Sequence, residues 1–401
     1  MTKSMFNPSK AGLYVHIPYC LSKCTYCDFT SSVLDDSFFA YLHLLVQEIA
    51  LRKEDASSLS IDSIFFGGGT PSLLTPSQLE FILQKIYQQY SVESDCEITI
   101  EANPDTLTLQ KLKMYRKLGI NRISIGVQSF QDSTLQIIQR RHSSAQAIDA
   151  IEMASQAGFR SINCDLIIGL PLETKDCIQR NLKHLSVLPI THVSTYFLTL
   201  SRSTPIAKQI RKGQVTIPSE KQSVDHWRLM VQGLLDAGFQ HYEISNFSLP
   251  EMECRHNLHY WHLDSWLAFG ISATGFLNQV QSKKRSRYTN FLSHLQYRGS
   301  LALKRLPVGK HEKLSENQYD FEKKMLQLRL LREGIPLSEI PCEKREVLLD
   351  LYQKGFVDFH YKHPVPLDVR GFIRYHPNIV LTEKGVLLSN VITTSLLGDI
   401  S

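Results

Sequence analysis

No run in the 401 residues approaches the roughly 18 uninterrupted apolar residues that a membrane-spanning helix requires. Residues Met1–Lys10 also lack an apolar stretch of signal-peptide length. Together these absences lead to the expectation of a cytoplasmic chain with at most peripheral membrane contact. A strong charge of either sign is missing too: 44 Lys and Arg stand against 39 Asp and Glu, a net +5. So mild a balance gives no reason to expect nucleic-acid binding. The one dense basic run, Lys283, Lys284, Arg285 and Arg287, reads as a solvated loop. No internal repeat and no low-complexity linker interrupts the chain. What is present is a hydrophobic share of 43% against 21% charged residues, enough for a sizeable core in two or three units.

Cysteine is scarce, eight residues in all, but three of them are crowded into Cys20-Leu-Ser-Lys-Cys24-Thr-Tyr-Cys27. In a reducing compartment such a group points to a metal centre, not to a disulfide framework. A structural zinc site would need a second C-x2–4-C half, and none exists, so a fourth ligand would have to come from elsewhere. A cubane [4Fe–4S] cluster suits the spacing better. Three thiolates satisfy three of its four irons and leave one open to chelate a small molecule.

The pattern around this triplet predicts an α/β fold. Short β-branched runs at Leu13–Ile17, Ser63–Phe66, Glu97–Glu101, Arg122–Gln128, Ile162–Ile168 and Val193–Leu198 alternate with helical periodicity at Phe38–Leu51, Ser77–Tyr90 and Ala145–Ala157. Six such units predict a parallel sheet in a partial (β/α)6 barrel, with a doubly wound sheet as the alternative. Either arrangement gathers ligands at the carboxyl ends of the strands. The cysteine triplet, Gly67-Gly-Gly-Thr-Pro71, Glu101-Ala-Asn-Pro104, Gln128-Ser-Phe130 and Gly169-Leu-Pro171 all fall at those ends. Beyond a helix at Ser219–Ala237, the aromatic-rich stretch Phe239–Phe276 reads as irregular. The remainder reads as helices at Gln318–Arg332 and Cys342–Lys354, a strand pair near Val357–Tyr361 and Ile379–Thr382, and a last helix, Glu383–Leu397. That order suggests a small winged-helix-like α+β unit. The expected division is 1–240, 241–310 and 311–401.

Six segments in this order, Leu13-Tyr-Val-His-Ile-Pro-Tyr-Cys20, Gly67-Gly-Gly-Thr-Pro71, Glu101-Ala-Asn-Pro104, Gly126-Val-Gln-Ser129, Asp165-Leu-Ile-Ile-Gly-Leu-Pro171 and Tyr242-Glu-Ile-Ser-Asn-Phe247, resemble the coproporphyrinogen-oxidase-like radical SAM family almost end to end. The resemblance implies a [4Fe–4S] cluster on Cys20, Cys24 and Cys27. S-adenosylmethionine would lie on its open iron and yield a 5′-deoxyadenosyl radical on reduction by a flavodoxin- or ferredoxin-class donor. It further implies that Tyr14 and Tyr26 flank the cluster and that Gly68, Gly69 and Thr70 receive the methionine end. Glu101 would bind polar groups of the ligand, with Gln128, Arg140 and Asp165 around the adenosine. Read without the resemblance, Gly67–Gly69 is a tight turn, Asp165 a helix cap and Arg140 an exposed helical arginine.

A second cluster, His256-Asn-Leu-His-Tyr260-Trp261 with His262 after it, offers two residue types that ligate haem iron and an apolar indole face. HNxxYW resembles a pattern of the haem-chaperone branch of the same family, with His256 and Tyr260 as axial candidates. The branch implies delivery of haem to an apo-cytochrome or other haem-accepting protein. The competing branch decarboxylates coproporphyrinogen III; it extends the triplet to CxxxCxxCxC and carries a longer segment ahead of the first cysteine. Here Phe29 stands two past Cys27 and 19 residues precede Cys20, which favours the chaperone branch.

Overall fold

A computed structural model describes residues 10–279, 284–360 and 377–398. Most of Met1–Lys10, Lys283 of the basic run and Tyr361 of the expected strand pair lie outside the described residues.

The expected parallel strands form as β1 (Lys10–Ile17), β2 (Ser60–Gly68), β3 (Ser91–Ala102), β4 (Arg122–Gln128), β5 (Ser161–Ile168) and β6 (His192–Phe197). Each pairs with its neighbours in chain order. Alternation explains the layering. In β4, Ile123, Ile125 and Val127 are fully buried, whereas Arg122, Ser124, Gly126 and Gln128 face a central cavity. The intervening helices include α1 (Ser37–Leu51), α2 (Pro76–Gln89) and α3 (Ser144–Gln156). Thr75 with Gln78, and Ser143 with Gln146, form reciprocal capping boxes on α2 and α3.

The six parallel strands are those expected of the partial barrel, and the sheet continues beyond them. One expectation needs correction: Phe239–Phe276 is not irregular. That stretch folds as β7 (Gln240–Glu243), β8 (Asn246–Ser248), the helix α5 (Arg255–His262), which follows α4 (Glu220–Asp236), then β9 (Ser265–Phe269) and the start of β10 (Thr274–Gln279). With β11 (Lys284–Asn290) and β12 (Val308–Lys313) it completes a twelve-stranded sheet, ordered β12-β11-β10-β9-β1-β2-β3-β4-β5-β6-β8-β7. Strand β9 lies parallel to β1, with Leu267 opposite Leu13. Ser265-Trp-Leu-Ala-Phe269 is buried throughout, so it shows no alternation and a five-residue run offers no period to read.

The last segment builds its own apolar cluster around Leu328, Ile335, Leu348, Val357, Ile379 and Leu396. The helix α6 (Glu316–Gln327) leads into it, and Ile335–Pro336, Asn378–Leu381 and Val357–His360 pair as a small antiparallel sheet. The link between the last two strands, where a wing would fall, lies outside the described residues. The expected final helix is two pieces, Glu383–Val386 and Ser389–Leu397. Among the described residues no helix is long and apolar enough to cross a membrane.

Candidate functional site

At the carboxyl ends of the parallel strands a cavity of about 660 Å³ opens, within the range of roughly 300–1,000 Å³ usual for cofactor pockets. Its walls include Cys20, Cys24, Cys27, Tyr14, Tyr26, Gly68, Gly69, Thr70, Glu101, Gln128, Arg140 and Asp165, together with His256 and Tyr260. Every site residue singled out from the sequence therefore borders one space.

The cysteine loop leaves β1 and is held mainly by backbone. Ser32 N–H donates to the Pro18 carbonyl and Leu34 N–H to that of Cys20, both at 2.8 Å, pinning the two ends of the loop together. Thr25 N–H reaches the Ile138 carbonyl at 3.3 Å, and Ile206 N–H donates to Thr25 O at 3.0 Å. His16 adds a side-chain tie: Nδ1 lies 3.0 Å from the Tyr14 hydroxyl and Nε2 3.0 Å from Thr30 O. The three thiols are free and half-buried, whereas Cys96, Cys164, Cys177 and Cys254 are buried. Burial pushes the Cys27 thiol up. Arg140 approaches Cys24 Sγ at 3.5 Å and spans to Asn103 Oδ1 at 2.7 Å and Gly126 O at 2.6 Å. Among the described residues no three His, Cys, Asp or Glu, the loop cysteines included, are grouped to hold a single metal ion.

The glycine loop has a double use. Gly68 sits at φ +114°, a conformation that L side chains rarely adopt, and a Cβ there would meet the His16 ring at 2.6 Å. A Cβ on Gly69 would meet the Tyr19 carbonyl at 2.6 Å. These glycines thus admit the cysteine-bearing segment as well as bordering the cavity. Thr70, almost fully buried, accepts from Asn103 Nδ2 at 3.1 Å.

Two acids stand in the wall. Burial, and then the nearby Asp165, push Glu101 up to about 8, although Gly68 N–H donates to it at 3.0 Å. Burial also raises Asp165, against hydrogen bonds from Ser124 at 3.0 Å and Asn163 at 2.7 Å. A cationic group placed between them would restore both carboxylates. Gln128 closes β4 at φ +67°, off the usual map for a side chain of its kind.

Helix α5 supplies the opposite wall. Its N-terminus rests on Glu97, which accepts from Arg255 N–H at 3.2 Å and His256 N–H at 3.3 Å. His256 and Tyr260, one turn apart, share the cavity face, with His256 Nε2 2.8 Å from the Tyr260 hydroxyl and Nδ1 2.9 Å from Ser63 Oγ. Burial holds His256 well below its ordinary value, so the imidazole is neutral. Phe65 stacks on it with centroids 5.2 Å apart, and Tyr14 lies 6.3 Å away. Gly12 makes the room: a Cβ would meet His256 Nδ1 at 2.8 Å.

The other two histidines of the cluster do not border this cavity. His259 Nε2 lies 2.7 Å from Asp62 and Nδ1 3.3 Å from Asp264. Burial opposes its charge, but those carboxylates outweigh it and lift His259 to about 9. His262 pairs with Glu333 at 3.1 Å. Helical spacing sets the two pairs on different arcs of α5, and Asp62 fixes which arc turns from the cavity.

Sequence reasoning missed His16, Phe65, Asn103, Arg122, Ser124 and Asn163. Phe65 and Arg122 could have been found, because they alternate with recognised core positions on strands already assigned. His16 and Asn103 lie inside the quoted motifs, yet their partners are distant in sequence.

Residues 14–185 match the Radical SAM superfamily. Over 96% of its length the chain is 32% identical to heme chaperone HemW of Mycobacterium tuberculosis (strain ATCC 25618 / H37Rv), covering 95% of that protein. The chain belongs to the HemW family. HemW of Bacillus subtilis (strain 168) is 31% identical over 96% of this chain and 99% of its own. Among solved structures, coproporphyrinogen III oxidase (HemN) from Escherichia coli, a radical SAM enzyme, superposes with a TM-score of 0.78 over 97% of this chain and 90% of its own, at 22% identity. HemN thus shares the fold, while the HemW relatives supply the family. The chaperone branch expected from Phe29 and HNxxYW is the branch to which the HemW family corresponds.

Proposed function

We propose that this protein is a haem chaperone that holds a [4Fe–4S] cluster on Cys20, Cys24 and Cys27, binds S-adenosylmethionine beside it, and passes haem to an apo-cytochrome or other haem-accepting protein. The observation that carries the reading is one shared cavity. Half-buried thiols form one end of it and the His256–Tyr260 face of α5 another.

When bound, such a cluster supplies a low-potential electron to a sulfonium held on its open iron. The chain's own part is to prepare the ligands. Arg140 donates toward Cys24 Sγ and ties it to the wall through Asn103 and Gly126. Glu101 and Asp165, protonation-prone while buried, are suited to the ammonium and ribose hydroxyls of S-adenosylmethionine. Gly68, Gly69 and Thr70 take the methionine end, Tyr14 and Tyr26 border the cluster, and Gln128 completes the adenosine side. For haem, neutral His256 and the Tyr260 phenol are the axial candidates. They bond to each other; iron on His256 Nε2 would require that bond to be released, whereas the Tyr260 oxygen could take iron and still accept from the imidazole N–H.

In this reading the cluster and S-adenosylmethionine belong to residues 1–240, haem contact to 241–310, and residues 311–401 meet the acceptor. A reductant of the flavodoxin or ferredoxin class serves the cluster. The decisive experiment is an anaerobic haem titration of the reconstituted protein, paired with a coproporphyrinogen decarboxylation assay. Stoichiometric haem binding without decarboxylation is expected; turnover without haem binding would assign the oxidase reaction instead.

A further inference from the structure

Arg122 opens β4 and is 2% exposed, yet its guanidinium makes no side-chain hydrogen bond among the described residues and its Nε is buried without a partner. A guanidinium has five donors and does not give up its charge in a protein. A buried Nε–H without a partner costs free energy that an acceptor entering the cavity would recover. The neighbouring acids are occupied elsewhere. Glu97 caps α5, Asp165 accepts from Ser124 and Asn163, and Glu101 accepts from Gly68.

Position says which ligand would meet it. Arg122 lies six residues before Gln128 on the same strand, about 20 Å at the usual rise of a strand. It stands opposite Thr99 and Ser161 in the ladder, at the start of β4. His256 likewise packs early in β1 and β2, against Gly12 and Ser63, so Arg122 borders the α5 end of the cavity with His256 and Tyr260. Its charge is felt by His256 and also by Glu101 and Asp165.

We propose that Arg122 is a carboxylate receptor at the α5 end of the cavity and that it anchors a propionate of the haem held there. The inference rests on the haem-binding reading above and adds to it how the macrocycle is oriented. A planar, bidentate guanidinium matches a carboxylate and gives a direction that an axial bond alone leaves free. The other carboxylate that could reach it is that of S-adenosylmethionine, and the two sources separate in the test.

The test is an absorbance titration of the reconstituted full chain with haem and with haem dimethyl ester, alongside calorimetric titration with S-adenosylmethionine. Loss of one charge-assisted bidentate contact corresponds to roughly tenfold to hundredfold in affinity. Wild-type protein is expected to bind the ester weaker than haem by that factor, a comparison that needs no variant. Arg122→Gln should weaken haem by the same factor, leave the ester unchanged and alter S-adenosylmethionine binding by less than about threefold, while Arg122→Lys recovers part of the loss. Equal weakening of haem and ester would show a structural role and overturn the inference. Weakened S-adenosylmethionine with unchanged haem would assign the carboxylate to the other ligand and overturn it too. Haem binding to wild type with no ester effect would sink the Arg122 inference alone; no haem binding at all would sink the chaperone reading beneath it.

Discussion

The two ends of the cavity are built differently. At the cysteine end, loops after β1 and β2 are tied mostly by backbone hydrogen bonds, and the thiols stand half-exposed. At the α5 end a short helix is fixed by side chains: Glu97 on its N-terminus, Asp62 and Asp264 on His259, and Glu333 on His262. The difference suits the two tasks proposed above: a loop that would wrap a resident cluster, and a rigid face whose candidate ligands, His256 and Tyr260, bond to each other.

If the ends serve separate ligands, they should fail separately. The largest effect is expected from Cys24→Ala. Cluster iron and S-adenosylmethionine affinity should fall by at least about a hundredfold, while haem affinity changes by less than about threefold, measured by iron and sulfide content and by parallel titrations. Equal loss of both ligands would break the comparison.

Next is His259→Ala, which strips the shared cation from Asp62 and Asp264. Removing one partner of a buried charge cluster costs about 3–5 kcal/mol, readable as a lower urea midpoint, with cluster content retained in the protein that folds. The pH sign follows from the raised proton affinity. Because His259 is lifted from its ordinary value to about 9, its stabilisation is complete below roughly 6.5 and fades as pH rises through about 9. A midpoint indifferent to pH across that window would contradict the ion-pair role.

Gly12→Ala should act at the α5 end alone, since its Cβ would press on His256 Nδ1. Haem affinity is expected to fall about tenfold, the scale of a 1–3 kcal/mol overpacking cost, with the cluster spectrum unchanged. The smallest effect concerns Glu101, held up at about 8. Affinity for the cationic S-adenosylmethionine should rise severalfold from pH 6 to pH 8 and then level off as the carboxyl ionises. Glu101→Gln should flatten that profile; an undiminished slope would place the titrating group elsewhere.

The same two ends differ in how well the sequence shows them. Strands β1 to β6 were legible because β-branched runs alternate with long amphipathic helices, and the cysteine spacing is chemically explicit. Strand β9 was not, because Ser265–Phe269 is buried on both faces and carries no period. At the α5 end, the motif was visible but its division was not. That His256 and Tyr260 face the cavity while His259 turns to Asp62 depends on a partner 197 positions away in sequence. The roles of Gly68 and Gly69 in admitting His16 and Tyr19 are likewise tertiary facts. Arg122 looked like an ordinary strand end, and its buried Nε without a partner among the described residues sets it apart.

The central claim is that one cavity holds the cluster at its cysteine end and haem at its α5 end. It is tested most directly by electron paramagnetic resonance of the reduced cluster, recorded with and without one equivalent of haem supplied as its cobalt(II) analogue, a paramagnetic porphyrin that the reduced cluster does not reduce. Relaxation of the cluster signal should quicken on haem addition in wild-type protein, and the effect should disappear when His256 and Tyr260 are both replaced by Phe. A cluster signal that haem leaves unchanged, while haem is demonstrably bound, would place haem outside this cavity and contradict the account.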